Sequence, residues 1–200
     1  MSEDAGPQPA AGGLRERKRR ATLERITDAG ISLFIEKGYD STTLDDIAVR
    51  AGISRRTFFY YFKSKDEILL SAQSGMGEMI VAELRNAPDG RRPLDAIRDA
   101  IIKVCERWPA AEMVTLDRLM RSSPVVQARK QASYVQHERT LFEALRERWP
   151  DPGRETGLKL VAMLGMGAMR LAFDTLSLEG GERPVEDLLH ETFDALDAEL

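Results

Sequence analysis

The chain has 200 residues, of which 42% are hydrophobic and 31% charged, with a net charge of −4. That length and balance suit one generous globular domain or two small ones, and they exclude a disordered chain. The reading finds no run of about 18 uncharged apolar residues, so it expects no membrane-spanning helix and no membrane partner.

Taken in chain order, "MSEDAGPQPAAGGLRERKRR" has no apolar stretch followed by a cleavage site, so no secretion signal is expected. Residues 1–14, with Gly, Pro and Ala throughout, read as a flexible tail. Leu23, Ile26, Gly30, Leu33 and Phe34 recur at the spacing of one helix face, predicting a first helix over 15–37 that Gly38 ends. "STTLDDIAVRAG" predicts a short second helix, capped by Thr42 or Thr43, with Asp45 and Asp46 near its positive end and Gly52 breaking it. Ser54 caps a third helix through Tyr61, and "KSKDEI" opens a fourth that reaches Arg85. Pro93, Pro124, Pro152 and Pro184 each precede an apolar-periodic run and suit the first turn of a helix. Helices are therefore expected near 93–107, 110–121, 124–148, 153–178 and 184–199. Strand alternation and hairpin signals are missing, so the fold class is all-α with about nine helices.

Charge divides the chain unevenly. Residues 1–65 carry a net +3 and residues 66–200 a net −7. A basic head on an acidic body suggests polyanion binding at one end and another task at the other. The segment "GISRRTFFYYF" (52–62) sharpens this. Ile53, Phe58 and Phe62 can share the inward side of the third helix, Phe58 and Phe62 being four apart. Arg55, Arg56, Phe59 and Tyr60 then project outward. Two short helices about a glycine turn, the second with a basic outer face, describe a helix-turn-helix. Arginine suits guanine edges and phosphates because its planar fork donates two parallel hydrogen bonds.

On these residues, "LFIEKGYDSTTLDDIAVRAGISRRTFFYYFKSKDEIL" (33–69) resembles the DNA-binding domain of the TetR/AcrR family of bacterial transcriptional regulators. The likeness lies in the "LF…KGY" end of helix one, the "TT…IA…AG" second helix, the "IS…T…F" recognition helix and the "KSK" that opens helix four. The resemblance implies contacts to a double-stranded DNA operator from Arg55, Arg56, Thr57, Tyr60 and Tyr61. It also implies phosphate anchors at Thr43 and Lys65. Phe59 stands where relatives often have Tyr, Tyr61 where they often have His, and Arg56 where many have Gly. An operator somewhat unlike theirs is therefore expected. The run "RERKRR" (15–20) is either a DNA-contacting arm or a solvated helix start. The domain reading is a helix-turn-helix over 15–65 and an effector-binding and dimerisation domain over 66–200.

In that body, "LVAMLGMGAMRLAF" (160–173) is rich in small residues, which suits a helix–helix interface as well as a core. The resemblance implies a homodimer through the last two long helices, and the residues placed at it are Gly165, Ala168, Ala172, Leu189 and Phe193. Methionines are frequent, and their adaptable shape suits either a pliable cavity or core filling. The resemblance implies an effector pocket, placed at Met79, Met113, Met120, Arg121 and Met166. Residues 118–148 are similar, more loosely, to effector domains of mycofactocin-associated regulators, which implies an acyl-CoA-like or other apolar effector. Arg118, Arg121, Arg129 and Lys130 would serve its phosphates, or form a solvated surface. His137 reads as a surface or satisfied histidine rather than a ligand contact.

Catalysis finds no support: His137 and His190 lie far apart, Cys105 has no triad cue, and no HExxH, P-loop or GxGxxG pattern occurs. No cofactor or metal is expected. The lone cysteine fits a reducing cytoplasm. The reading is a ligand-responsive DNA-binding regulator, a repressor released by its effector. The alternative is a helical adaptor that binds protein partners without reading DNA.

Overall fold

The computed structural model describes residues 11–199. Among them are nine α-helices, one 3-10 turn and no strand. The helices are α1 (Ala11–Lys37), α2 (Leu44–Arg50), α3 (Arg55–Tyr61), α4 (Lys65–Arg85), α5 (Pro93–Cys105), α6 (Ala110–Ser122), α7 (Pro124–Arg148), α8 (Glu155–Leu178) and α9 (Val185–Ala198). The expected tail falls on residues 1–10, which lie outside the described residues, and on 11–14, which are helical. The chain forms two compact units, one ending at Ile68 and the other beginning at Leu69, so the boundary falls inside α4.

In the first unit α1 packs on α2 and α2 on α3. The core is Ile26, Leu33, Phe34, Ile47, Phe58 and Ile68, all essentially without exposure. Gly30 admits α4 to α1: a methyl built there would lie 2.8 Å from Ile68 Cγ2. Gly38 and Gly52 both have positive φ, 87° and 63°, and supply the left-handed residues that end α1 and turn the chain between α2 and α3.

In the second unit α8 is the central helix, packed against α5, α6, α7 and α9. Pro93 and Pro124 sit in the first turns of α5 and α7, as expected, whereas Pro184 is the residue just before α9 and Pro152 opens a 3-10 turn ahead of α8. The helical stretch Pro152–Leu178 is, by length and composition, apolar enough to cross a membrane, with a mean hydropathy of 1.3 over an 18-residue window. Charged residues such as Lys159 and Arg170 interrupt it, so no uncharged apolar run of that length occurs, but the expectation that no helix could qualify as a span is corrected. The apolarity of the stretch has a packing origin, since Leu158, Ala162, Met166, Met169, Ala172 and Leu176 are buried against the neighbouring helices.

Gly165 is the most closely packed glycine described in this unit, because a methyl built there would lie 2.6 Å from Ile97 Cγ2. We expect Gly165→Ala to overpack the α5–α8 contact and to lower unfolding free energy by about 1–3 kcal/mol in urea denaturation. Gly157→Ala, on the same helix with open space at its Cβ position, should instead gain up to about 1 kcal/mol from helix propensity.

Candidate nucleic-acid interface and effector cavity

The head is organised by its caps. Thr43, not Thr42, is the N-cap of α2: its hydroxyl accepts from the Asp46 amide at 3.1 Å, and the Asp46 carboxylate accepts from the Thr43 amide at 3.0 Å. These bonds hold the Asp46 carboxyl below its ordinary range, the Thr43 amide contributing most. Thr42 is buried, and its hydroxyl donates to the carbonyl of Gly38 at 2.8 Å. Ser54 caps α3 by accepting from the Thr57 amide at 3.1 Å, and the two hydroxyls lie 2.8 Å apart. The start of the recognition helix is therefore fixed by short-range chemistry.

The aromatics of α3 divide as the helix period requires. Phe58 and Phe62 are buried, with ring centroids 6.1 Å apart. Phe59 is 45% and Tyr60 76% exposed on the outer side. Arg55 lies over the Phe59 ring at 5.7 Å and pairs with Asp45 at 3.3 Å. Arg56 and Tyr60 are exposed and make no hydrogen bond or ion pair with the described residues. Tyr61 is half-buried, edge-on to Tyr60 at 5.1 Å.

Lys65 has an internal task that the sequence does not announce. Its ammonium donates to the carbonyls of Tyr39 at 2.6 Å and Thr42 at 3.1 Å, and lies 4.4 Å from the Tyr39 ring centroid. The Tyr39 hydroxyl donates in turn to Asp66 at 2.8 Å. Burial and this carboxylate push the Tyr39 phenol well above its ordinary range. Lys65 thus clips the α1–α2 loop to the start of α4 and keeps one N–H for another acceptor.

The second unit has a partly open cavity of about 80 Å³ among α4, α6, α7 and α8. Its apolar walls are Met76, Met113, Met120, Met166, Met169 and Phe173. Three of the five expected pocket residues, Met113, Met120 and Met166, are among them. Met79 packs against the core without reaching the cavity, and Arg121 also lies off the wall. A second chamber of about 230 Å³ adjoins, sharing the wall made by Gly77, Ile80, His137 and Met166.

One end of the cavity is polar. Lys130 donates to Asp117 Oδ1 at 2.7 Å, and Arg121 and Ser177 donate to Oδ2 at 2.6 and 2.7 Å. Burial pushes the Asp117 carboxyl up, but the bonds from Lys130, Arg121 and Ser177 outweigh it and hold the group below its ordinary range. Arg121 also reaches Asp174 at 2.7 Å. Of the four cations expected to await phosphates, two are therefore neutralised by neighbouring carboxylates. The other two, Arg118 and Arg129, are exposed and do not line the cavity.

Tyr134 and His137 also line the cavity. They follow Lys130 at four- and three-residue steps, so one face of α7 supplies all three, a spacing visible in the sequence. The imidazole lies so close to α4 that a methyl on Gly77 would meet Nε2 at 2.8 Å. Cys105 is fully buried, and burial pushes its thiol up to about 12, far from a nucleophile's range.

The five residues expected at a dimer face have inward roles. Gly165 meets Ile97, and Ala168, Ala172, Leu189 and Phe193 are buried in the core of the protomer. The large apolar residues that α8 leaves exposed are Leu160, Met163, Leu171 and Leu178.

A capped helix, a glycine turn and a second short helix with exposed basic and aromatic groups define a helix-turn-helix protein, here followed by a separate helical unit that contains an apolar cavity. Residues 26–72 match the bacterial regulatory proteins of the tetR family, and residues 91–200, more than half the chain, match the MftR C-terminal domain. The chain belongs to the tetR family of bacterial regulators, with an MftR-type C-terminal domain. Among curated relatives, the transcriptional regulator TcmR of Streptomyces glaucescens is 36% identical over 109 residues, covering 54% of this chain and 48% of that protein. The chain spans about half the length, or less, of the curated relatives it matches first. Among solved structures, FadR from Bacillus subtilis in complex with stearoyl-CoA aligns with a TM-score of 0.61 at 19% identity, over 86% of this chain and 96% of that one. A transcriptional regulator from Aquifex aeolicus VF5 aligns with a TM-score of 0.57 at 22% identity, over 90% and 99%. At those identities the likeness establishes the fold.

Burial lowers the His137 pKa below the ordinary 6.5. The folded protein thus disfavours the protonated ring, and the unfolded chain takes up this proton first as the pH falls. The stability gained by keeping the ring neutral is present above the ordinary pKa and drains away as the pH falls toward the folded value. Wild type should therefore lose more stability than His137→Gln between about pH 7.5 and 5.5, read as the difference in urea midpoints.

Proposed function

We propose that the chain is a ligand-responsive, sequence-specific DNA-binding regulator that acts in the cytoplasm as a homodimeric repressor and leaves a palindromic operator when a small, largely apolar effector enters the second unit. The observation that carries this reading is the outer face of α3. Arg56 and Tyr60 stand exposed, with no hydrogen-bond or ion-pair partner among the described residues, on a helix whose start is fixed by Ser54, behind a capped α2. Such groups suit a base edge or phosphates, and the capped scaffold pre-orients them. An adaptor has no need of this arrangement.

Dimerisation suits the head, because one seven-residue recognition helix reads little sequence and a second copy doubles it. The exposed stripe Leu160, Met163, Leu171 and Leu178 recurs at helical spacing along α8, and we assign the interface to it. The effector must then bind one arrangement of the dimer more tightly than the other, or it shifts nothing. The helix suited to carry that difference is α4, which begins at Lys65 and contributes Met76, Gly77 and Ile80 to the cavity. FadR of Bacillus subtilis was solved with stearoyl-CoA. In this chain the pairing of Lys130 and Arg121 with carboxylates favours an apolar effector without phosphates.

Fluorescence anisotropy with the DNA upstream of the protein's own gene, against an unrelated fragment of equal length and across salt, tests the reading. We expect tight, salt-sensitive preference for the upstream DNA. Arg56→Ala should cut that preference about tenfold, whereas Lys65→Ala should weaken both DNAs alike and also destabilise the head. Two variants indistinguishable from wild type would sink the docking scheme. Equal, weak binding to both fragments would argue against an operator at that locus, and no binding at any salt would favour the adaptor.

For the interface, sedimentation velocity of Leu171→Glu should give the protomer mass where wild type gives twice that mass. A Leu171→Glu protein that remains dimeric would move the interface off this face.

A further inference from the structure

One residue of the cavity wall carries a polar group with no hydrogen-bond partner among the described residues. Tyr134 is only 7% exposed and lines the cavity. Its ring lies beneath the Arg170 guanidinium at 5.7 Å, but its hydroxyl has no hydrogen-bond partner among the described residues. Buried hydroxyls are ordinarily satisfied, because leaving one unpaired forfeits the bond it made with water. Three residues on, His137 lines the same cavity and forms part of the wall to the second chamber, also without a hydrogen-bond partner among the described residues.

The charges nearby limit what can enter. Asp117 and Asp174 pair with Lys130 and Arg121 through the short bonds described above, while the Arg170 guanidinium over the Tyr134 ring is exposed and does not line the cavity. The charges of Lys130 and Arg121 are thus offset by carboxylates already bound to them, so an incoming anion would have to share those cations with Asp117 and Asp174. The remaining wall is methionine, leucine, isoleucine and phenylalanine, which favours apolar surface.

Resting on the reading of this cavity as the effector site, we propose that the Tyr134 hydroxyl and the His137 imidazole are its hydrogen-bonding groups, and that they take an uncharged, mostly apolar molecule bearing an accepting oxygen such as a ketone or amide carbonyl. Tyr134 donates to that oxygen. His137, held neutral by its burial, can donate from one nitrogen and accept at the other, so it suits a second oxygen about one helical turn, roughly 5–6 Å, along the ligand. Because Gly77 has no side chain, the imidazole lies directly against α4, and a ligand that moves the ring acts on that helix.

Equilibrium dialysis of the full chain with three probes of one skeleton tests this: 2-acetylnaphthalene, 2-ethylnaphthalene and 2-naphthoate. Wild type should hold the ketone more tightly than the carboxylate. Tyr134→Phe should weaken the ketone about fivefold, the worth of one neutral hydrogen bond, and leave the hydrocarbon unchanged. The unchanged hydrocarbon also shows that the variant's cavity is intact. Equal effects on ketone and hydrocarbon, or no effect on either, would overturn the assignment while leaving the cavity as a binding site. The same holds for tightest binding of the carboxylate. No binding of any probe would overturn the effector-cavity reading and this proposal with it.

Discussion

Helix α8 has to lie against four other helices at once, and the second unit is arranged around how it does so. Toward α5 the helix presents a thin face. Ala162 and Ala172 are fully buried, and Gly165 leaves so little room that Ile97 occupies the place of its side chain. Backbones approach closely there and the core is closed. The same helix carries Met166, Met169, Phe173 and Leu176, longer groups that line the cavity among α4, α6 and α7. One helix thus makes a dense core and a pliable chamber through the size of residues one or two positions apart. Its outward face keeps Leu160, Met163 and Leu171. A strongly apolar sequence results, enough to resemble a membrane span by composition alone.

The same constraint explains where the sequence misleads. Small residues at Gly165, Ala168 and Ala172 suit any close helix contact, and no pattern says whether the neighbour belongs to the same chain. Leu189 and Phe193 raise the same ambiguity, since a residue buried in a protomer's core and one buried at an interface are both large and apolar. What distinguishes them is the partner, and the partner of Gly165 is Ile97, far away along the chain. The outward stripe was equally present in the sequence. Without knowing which face is inward, Leu171 and Ala172 are simply neighbours.

Local chemistry was far more legible. The helix start at Ser54, the α2 cap narrowed to Thr42 or Thr43, the left-handed glycines at 38 and 52, and the division of the α3 aromatics into Phe58 and Phe62 inside and Phe59 and Tyr60 outside all follow from spacing and caps. Lys65 shows where that legibility ends. A lysine opening a helix can meet a phosphate or a carbonyl, and the choice depends on where residues 39–42 lie, more than twenty positions earlier. Tyr134 and His137 are a different case. Their spacing from Lys130 was plain, yet a tyrosine and a histidine on a polar helix are usually surface groups, and only the facing walls of α4, α6 and α8 turn that stripe inward.

The acid at the polar end of the cavity decides more than the bases beside it. Counting only Lys130, Arg121 and their basic neighbours, the second unit reads as a cradle for phosphates. Asp117 reverses that conclusion. It is largely buried, accepts three hydrogen bonds through its two oxygens, and remains ionised because Lys130, Arg121 and Ser177 outweigh the cost of its burial. An anion approaching Lys130 would have to share that cation with Asp117 in the same low-dielectric place, so the carboxylate disfavours anions by repulsion and by offsetting the ammonium's charge. The pairing also cross-links α6 to α7 and, through Ser177 and Asp174, to α8. The polar end is therefore a fixed wall, and the methionine-lined remainder is where the shape can adapt. A fixed, charge-paired wall and an adaptable methionine-lined one thus sit at opposite ends of one chamber, so a change of shape there falls on the methionines and leaves the ion pairs in place.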